Sequence, residues 1–344
     1  MSLQAIFQNI NAKHAKEATK ERIKEVSWKN KTMYKVEDEE LYDAIFRKIL
    51  FWWGLGNNKL AKFPSPLPVS MSFEEIQDIR ASWEDWWMSE KTNGEHYILY
   101  FGHVLGQPVQ AILQRNLDIH LVTFEVPHAL FSGTLLEGEW IKDKFLVFDV
   151  ISSCGYVTRY LRFTDRLKIM HNLIPLVRPV DSSPFQLQAK VFVPISSFRK
   201  YLENWSKVGH SSDGFIFIYS PYCLLPKSHS KLLKWKPPHL LTVDFYLEEN
   251  GDQVDFLVFH KNAPHVFTSQ PSFGDGKSDG GIWECRFDSS KSLWIPLHQR
   301  TDKTFPNSLY VANKTWQHIM DNVSLSVLCD YWFPNDPSPS ITFT

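Results

Sequence analysis

The spacing of apolar positions changes along the chain, and the predicted elements change with it. In EDEELYDAIFRKILFWW, Leu41, Ile45, Ile49 and Trp53 recur every fourth residue and make one stripe of a helix. The lysines ahead of it, Lys13, Lys16, Lys20 and Lys24, alternate with glutamates as on a solvated helix face, so residues 1–60 are expected to be helical. KFPSPLPVS reads as an extended, proline-punctuated linker, and SFEE has capping-box form, with Glu75 three residues after Ser72. From about residue 95 the period falls to two. HYILYF, VQAIL, IHLVTFEV, TLLEGEWI and KFLVFDVI read as strands separated by turns. Helices are expected in TDRLKIMHNLI and SSFRKYLENW, then strands in GFIFIYS, KLLKWK and LLTVDFYLEE. Residues 240–310, with the turn-rich SFGDGKSDGG, suit a small β-barrel, and KTWQHIMDN suits a final helix.

This order of elements is α+β. With 344 residues, 43% of them hydrophobic, the chain is long enough for about two domains with real cores. Aromatics at 15% favour β-rich cores or stacking surfaces. A formal net charge of -1 excludes a polycationic nucleic-acid coat, so contact with nucleic acid must rest on a local patch or on the end of a strand. Cys154, Cys223, Cys285 and Cys329 form no CxxC pair, which speaks against a zinc cage or a disulfide framework. The N-terminal residues lack the apolar core of a signal peptide, and no apolar run reaches membrane-spanning length. A soluble intracellular protein with no membrane partner is expected.

Several stretches carry chemistry. In KLLKWKPP, strand alternation puts Lys234 and Lys236 on one face and Trp235 on the other, and the prolines end the strand. Two ammonium groups on one face suit a phosphate between them, or a solvated edge strand. Glu137 and Glu139 share a face of TLLEGEWI, suited to ribose hydroxyls, to a metal, or simply to water. Asp213 precedes an apolar strand in Asp-Gly turn chemistry, yet a carboxylate there could also bind Mg²⁺. Phe148 is a core residue or a ring for stacking on a base. Arg300, Asp302 and Lys303 form a charged loop or a phosphate clamp. Lys91 precedes Asn93-Gly94, a strong hairpin signal, and is either an ordinary turn neighbour or a reactive amine.

Taken in order, these stretches make a pattern: K-x-N-G, L-L-E-G-E, an F-D strand, D-G-F-I-F, L-L-K-W-K and R-x-D-K. The set resembles the covalent nucleotidyltransferases, the superfamily of mRNA capping guanylyltransferases and ATP-dependent DNA and RNA ligases. LLKWKPP…TVDF with a downstream RTDK resembles the capping branch, and the resemblance spans roughly residues 62–320. It implies a ligase-type, ATP-grasp-like nucleotidyltransferase domain of antiparallel sheets flanked by helices at 61–240. An OB-fold β-barrel at 241–330 would follow, with residues 1–60 as an extension and the final helix able to pack back on the first domain.

The resemblance also implies a reaction. Lys91 attacks the α-phosphate of GTP, and the lysine-GMP adduct passes GMP to a 5′-diphosphate RNA end. Lys234 and Lys236 would neutralise the α-phosphate and depress the Lys91 pKa from about 10.4. Thr92, Asn93, Gly94 and His96 would line the nucleotide, Glu139 would bind ribose, and Phe148 would stack on guanine. Asp213 would place Mg²⁺ or Mn²⁺. Asp244, Arg300, Asp302 and Lys303 would act at the β- and γ-phosphates. Asn93 and His96 stand where the resembled motif has aspartate and arginine, which implies retuned activity or a pseudoenzyme that binds without reacting. An ATP-using ligase is the other alternative. No triphosphatase or methyltransferase pattern is found, so other polypeptides would supply those steps, with RNA polymerase a further candidate partner. The expected location is the nucleus for a cellular eukaryotic protein, or the cytoplasm or virion for a viral one.

Overall fold

The computed structural model describes residues 23–28, 31–56, 63–261, 263–273, 280–301, 303–334, 341 and 343. Asp302, Lys13, Lys16 and Lys20, and most of SFGDGKSDGG, lie outside the described residues. The chain divides into two compact units. The first takes its described residues from Met1–Pro66, Asn93–Val191 and Ser220–Lys227. The second takes them from Leu67–Thr92, Phe192–Tyr219 and Ser228–Thr344. The region expected to form a nucleotidyltransferase domain therefore feeds strands to both units, and the expected OB-fold region falls in the second.

The first unit is built on one large sheet. Its strand order is β1 (Ile23–Trp28), β2 (Lys31–Val36), β7 (Ile119–Leu121), β6 (Gln107–Gln114), β5 (Glu95–Val104), β9 (Thr134–Ile141), β10 (Lys144–Ser153) and β11 (Tyr156–Val157), with β13 (Gln186–Ala189) parallel to β10. A short pair, β8 (Phe124–Glu125) with β12 (Arg178–Pro179), lies off it. The helical expectation for residues 1–60 fails at β1 and β2, which form an antiparallel hairpin. Val26, Tyr34 and Val36 are β-branched or aromatic, which suits strands, but buried Met33 and Val36 lie on opposite faces, so no simple period of two marks the hairpin. The helical stripe itself is real. Helix α1 (Glu39–Trp52) is capped by Asp38, which accepts from the Leu41 N–H at 2.8 Å, and Leu41, Ile45, Ile49 and the following Trp53 are all buried. Helix α3 (Phe163–Leu173) packs on β10, closing a core that includes Leu99, Phe101, Trp140, Phe145 and Met170.

The second unit contains two sheets. The first has the order β14 (Val193–Pro194), β4 (Trp86–Thr92), β15 (Ser212–Tyr219), β16 (Ser228–Trp235) and β3 (Leu67–Ser70). Helix α2 (Phe73–Ala81) starts at Ser72, whose N–H donates to Glu75 Oε2 at 2.8 Å. Helix α5 (Leu309–Asp321) packs in a separate core, whereas α2, α4 (Phe198–Glu203) and α6 (Leu325–Trp332) enclose an aromatic core with Trp86, Phe198, Phe215, Trp235 and Trp332. The second sheet is antiparallel, in the order β19 (Ala263–Pro271), β18 (Gln253–His260), β17 (Thr242–Asn250), β20 (Ile282–Asp288) and β21 (Leu293–Gln299).

That second sheet corrects the expected barrel in one respect. Among the described residues no ladder joins its outer strands, β19 and β21. A side chain joins them instead. Gln270 donates from Nε2 to the Trp294 carbonyl at 2.8 Å and accepts the Trp294 N–H on Oε1 at 2.9 Å. Its amide stands in for one residue of a missing strand. Gln270→Ala would leave both backbone groups of Trp294 without a partner in a buried setting. We expect a loss of about 2–4 kcal/mol in urea unfolding, with the midpoint lowered and Trp294 fluorescence changed.

Candidate active site

Lys91 lies inside β4, one residue before its end. The expected Asn93-Gly94 hairpin is not formed. Strand β4 pairs with β15 and β14, whereas β5 pairs with β6 and β9, so Asn93-Gly94 carries the chain from one sheet into another. Glycine is required there for space, since a Cβ on Gly94 would lie 2.8 Å from the Glu139 Cβ. Thr92 is buried at the strand end and pairs with Ser212.

The residue opposite Lys91 is set by an irregularity. Thr92 pairs with Ser212 but Glu90 pairs with Phe215, so β15 carries one extra residue at Asp213–Gly214. This is a β-bulge, which re-aims a side chain. Only glycine fits position 214, where φ is +155° and a Cβ would meet the Trp235 carbonyl oxygen at 2.0 Å. The bulge presents Asp213 to two ammonium groups. Its Oδ1 lies 3.0 Å from Lys91 Nζ and its Oδ2 lies 2.5 Å from Lys236 Nζ. Burial alone would raise the Asp213 pKa, but Lys91 and Lys236 outweigh it and hold the carboxyl below its usual range. Asp213 is therefore seated as the counter-ion of Lys91 and not in an Asp-Gly turn.

Strand β16 has the expected phase. Trp235 is fully buried, stacked on Phe215 with ring centroids 5.4 Å apart, and its indole N–H donates to Val323 O at 2.8 Å. Lys234 and Lys236 take the other face. Desolvation, then Lys236, Lys91 and Lys303 in turn, lower the Lys234 pKa to about 7, and Asp244 only partly offsets them. The lysine with the depressed pKa is thus Lys234, while Lys91 is held in a salt bridge that favours its ammonium form.

In the second sheet, Asp244 is 6% exposed and pairs with Arg300 at 3.0 Å and with Lys303. Arg300 also reaches Glu284 at 3.2 Å. Asp244 and Glu284 face each other across the β17–β20 ladder, a like-charge pair that the guanidinium relieves. The proposed clamp cations are thus already neutralised within their own sheet.

The first unit assembles the other expected residues. His96 Nε2 lies 3.1 Å from Glu137 Oε1, and its ring packs against Phe148 and Phe63 with centroids 5.2 and 5.0 Å away. Burial raises the Glu137 pKa, and His96 opposes that rise. Glu139 is joined at 3.2 Å by Lys190, which is itself buried. Lys190 was not singled out from the sequence, and Glu137 was noted only as the acid that shares a face with Glu139. The available signals were a lysine inside the apolar run LQAKVFVP and the first acid of EGE. Beside Phe148, Asp149 takes a bidentate pair from buried Arg166 at 2.7 and 3.1 Å, which anchors the strand that carries the ring.

A resident metal centre is not built. Among the described residues no group of three or more His, Cys, Asp or Glu could hold a metal ion, and both oxygens of Asp213 face ammonium groups. This donor set suits a hard cation that arrives on phosphates, with one carboxylate to share. No described helix is long and apolar enough to cross a membrane.

These features define a lysine-centred anion site on a two-sheet α+β unit. Two profiles of one family match the chain: mRNA capping enzyme, catalytic domain, over residues 19–238, and mRNA capping enzyme, C-terminal domain, over residues 230–329. The chain belongs to the mRNA capping enzyme family. It is 29% identical over 302 residues to the mRNA-capping enzyme of Danio rerio, covering 78% of this chain and 49% of that protein. It is 26% identical over 310 residues to the mRNA-capping enzyme subunit alpha of Neurospora crassa, covering 76% and 70%. The chain spans about half the length of its Danio rerio and Mus musculus relatives. Among solved structures, a mycobacterial DNA ligase D complexed with ATP and MES aligns with a TM-score of 0.38 and 12% identity, covering 68% of this chain and 95% of that one.

The Lys234 environment gives a stability test. Its folded pKa lies below the unfolded value, so protonation opposes folding. That cost is full below about pH 7 and disappears as pH rises through the unfolded value near 10.5. Because the side chain is partly exposed, Lys234→Met should stabilise the protein by only about 2 kcal/mol at neutral pH. The gain should shrink as the pH approaches 10, as read by thermal unfolding across pH. A gain independent of pH would mean that the cationic surroundings do not act on this lysine.

Proposed function

We propose that this chain is an mRNA guanylyltransferase that works through a covalent Lys91–GMP intermediate. The observation that carries the proposal is the bulge-presented Asp213, which holds Lys91 beside Lys236 and within the field of Lys234. A nucleophilic amine, cations for the α-phosphate and a proton acceptor are thereby gathered on one sheet.

In the first step the Lys91 ammonium gives its proton to Asp213 Oδ1, and the free amine attacks the α-phosphorus of GTP. A P–N bond forms, the bond from the α-phosphorus to the bridging oxygen breaks, and pyrophosphate leaves. Lys234 and Lys236 neutralise the charge that builds on the α-phosphate oxygens. Arg300 and Lys303, released from Asp244 by competition, take the β- and γ-phosphates, and Asp302 belongs to the same loop. In the second step a terminal oxygen of 5′-diphosphate RNA attacks the α-phosphorus, the P–N bond breaks, and Lys91 regains a proton. Glu139 with Lys190 binds the ribose, Phe148 stacks on guanine, and Thr92, Asn93 and Gly94 line the path. Asp213 is the carboxylate that could share a Mg²⁺ or Mn²⁺ ion held by the triphosphate, which would supply further charge neutralisation. A separate triphosphatase and a cap methyltransferase supply the neighbouring steps, in the nucleus, and RNA polymerase is a further partner.

A weaker reading, a nucleotide-binding subunit without catalysis, is favoured by His96. Its ring is engaged by buried Glu137 and two aromatic rings where the resembled motif has an arginine. One experiment decides between them. The protein is incubated with α-labelled GTP or ATP and Mg²⁺ and run on a denaturing gel. We expect a band from GTP that is absent in Lys91→Ala, and at least tenfold weaker labelling in Lys236→Ala. Arg300→Ala should slow adduct formation by more than its loss of stability explains, with rates compared at a temperature where the variant is folded. No band from either nucleotide would leave only the binding reading, and a band from ATP alone would point to ligase chemistry.

A further inference from the structure

Glu90 directly precedes Lys91 on β4, and strand alternation turns its side chain to the opposite face. Its carboxylate is buried, only 3% exposed, and it collects several partners. The Ser89 hydroxyl donates to Oε2 at 2.9 Å, the Tyr201 hydroxyl donates to the same oxygen, and His210 Nε2 lies 3.1 Å from Oε1. Burial and the Glu90 charge push the Tyr201 phenol well above its ordinary range, so it remains a donor. None of these groups belongs to the phosphate-facing set described above.

Their positions along the chain give them a task. Tyr201 lies on α4, His210 lies three residues before Asp213, and Glu90 is itself one of the two ladder positions that bracket the bulge. Moving the extra residue one place towards Ser212 would set Gly214 opposite Lys91 and Asp213 opposite Thr92. A buried carboxylate that grips both the approach to the bulge and a helix beyond it prevents that shift.

We propose that Glu90, with Tyr201 and His210, is a positioning cluster that fixes the register of the bulge and so holds the Asp213 carboxylate on the Lys91 amine. The inference rests on the assignment of Lys91 as the nucleophile. The groups around that amine are Asp213 on β15 and Lys234 and Lys236 at the end of β16, with Lys303 and Asp244 beyond Lys234. If Asp213 is displaced, Lys91 loses that carboxylate while Lys236 and Lys234 stay near it, which favours its neutral form.

The test is reductive methylation of the full chain without nucleotide, across pH, with Lys91 modification followed by peptide mass spectrometry. Only the neutral amine reacts. Glu90→Gln should raise the Lys91 labelling rate near neutral pH by about threefold to tenfold, as Asp213→Asn does. Combining the two should add nothing, because both act through one contact. Tyr201→Phe, which keeps the ring, should move the rate in the same direction. His210→Gln, which keeps a donor, should stay nearer to wild type than His210→Ala. Variants are judged only where the circular dichroism spectrum matches wild type, and Tyr201→Phe decides the matter if Glu90→Gln does not fold. Unchanged labelling in a folded variant, or additive rates in the double variant, would overturn the proposal. Because the readout needs no nucleotide, absence of a lysine-GMP adduct in the wild type would remove the guanylyltransferase reading and leave this result intact.

Discussion

One carboxylate shared by two ammonium groups organises the second unit. Lys91 and Lys236 come from different strands, and without Asp213 between them their charges would repel across a partly buried face. The bulge decides which residue sits there, because the register set by Glu90 and Phe215 would place Gly214 opposite Lys91 and Asp213 opposite Thr92, and the extra residue brings Asp213 back to Lys91. The break is possible because residue 214 has no side chain, and it is held because the Trp235 carbonyl closes over it. Trp235 in turn is fixed from behind by Phe215 and by Val323. One strand, β16, thus joins an apolar face that packs and a cationic face that does chemistry. Rigidity on the first face makes the positions on the second reproducible.

The same device recurs around Asp244. Arg300 and Lys303 would be an exposed cationic loop without it, and with it they are a neutralised cluster that an anion can enter only by competition. Lys234 differs from Lys91, Lys236, Arg300 and Lys303. No ion pair is formed by it among the described residues, and its neighbours lower its proton affinity. An arriving phosphate reverses that condition, since an anion between Lys234 and Lys236 restores the protonated form. The overall charge of -1 gives no long-range pull on nucleic acid. Any attraction of the Lys234–Lys236 face for an anion is therefore local and depends on contact.

Much of this was legible in the residues, and what was missed has a physical cause. Lys234, Trp235 and Lys236 could be assigned to faces because strand alternation is strict, and Leu41, Ile45 and Ile49 to a buried stripe because helical period is. The Asn-Gly pair misled because its local preference for a hairpin is real, but the partners of β4 and β5 are chosen by distant strands. The bulge left only Gly214 as its trace, and glycine after aspartate reads equally well as a turn. The β1–β2 hairpin was hidden because buried Met33 and Val36 are three residues apart, a helical spacing, and lie on opposite faces of the strand. Gln270 gave no signal at all, since its role depends on the two outer strands coming together around one amide.

Helix α5 shows how the separate parts of the second unit constrain one another. Ala312 and Trp316 pack into the core of the β17–β21 sheet. Thr315, between them on another face, is buried and hydrogen-bonds Ser70 of β3 at 3.0 Å, and Ser70 stands in register with Lys234. Lys314 pairs with Glu75 on α2, and buried His318, its pKa lowered by burial to about 4, adds an uncharged ring near Lys234. The helix therefore meets one sheet through an apolar face and the other through polar pairs. Polar pairs exchange for water at less cost than apolar contact does. If the two sheets move relative to one another during a reaction cycle, separation at the polar seam costs less than separation at the apolar one, and α5 would travel with the β17–β21 sheet. Its contribution to the Lys234 environment would then vary with that motion. Ser70, Thr315 and His318 thus tie the surroundings of Lys234 to the position of this helix.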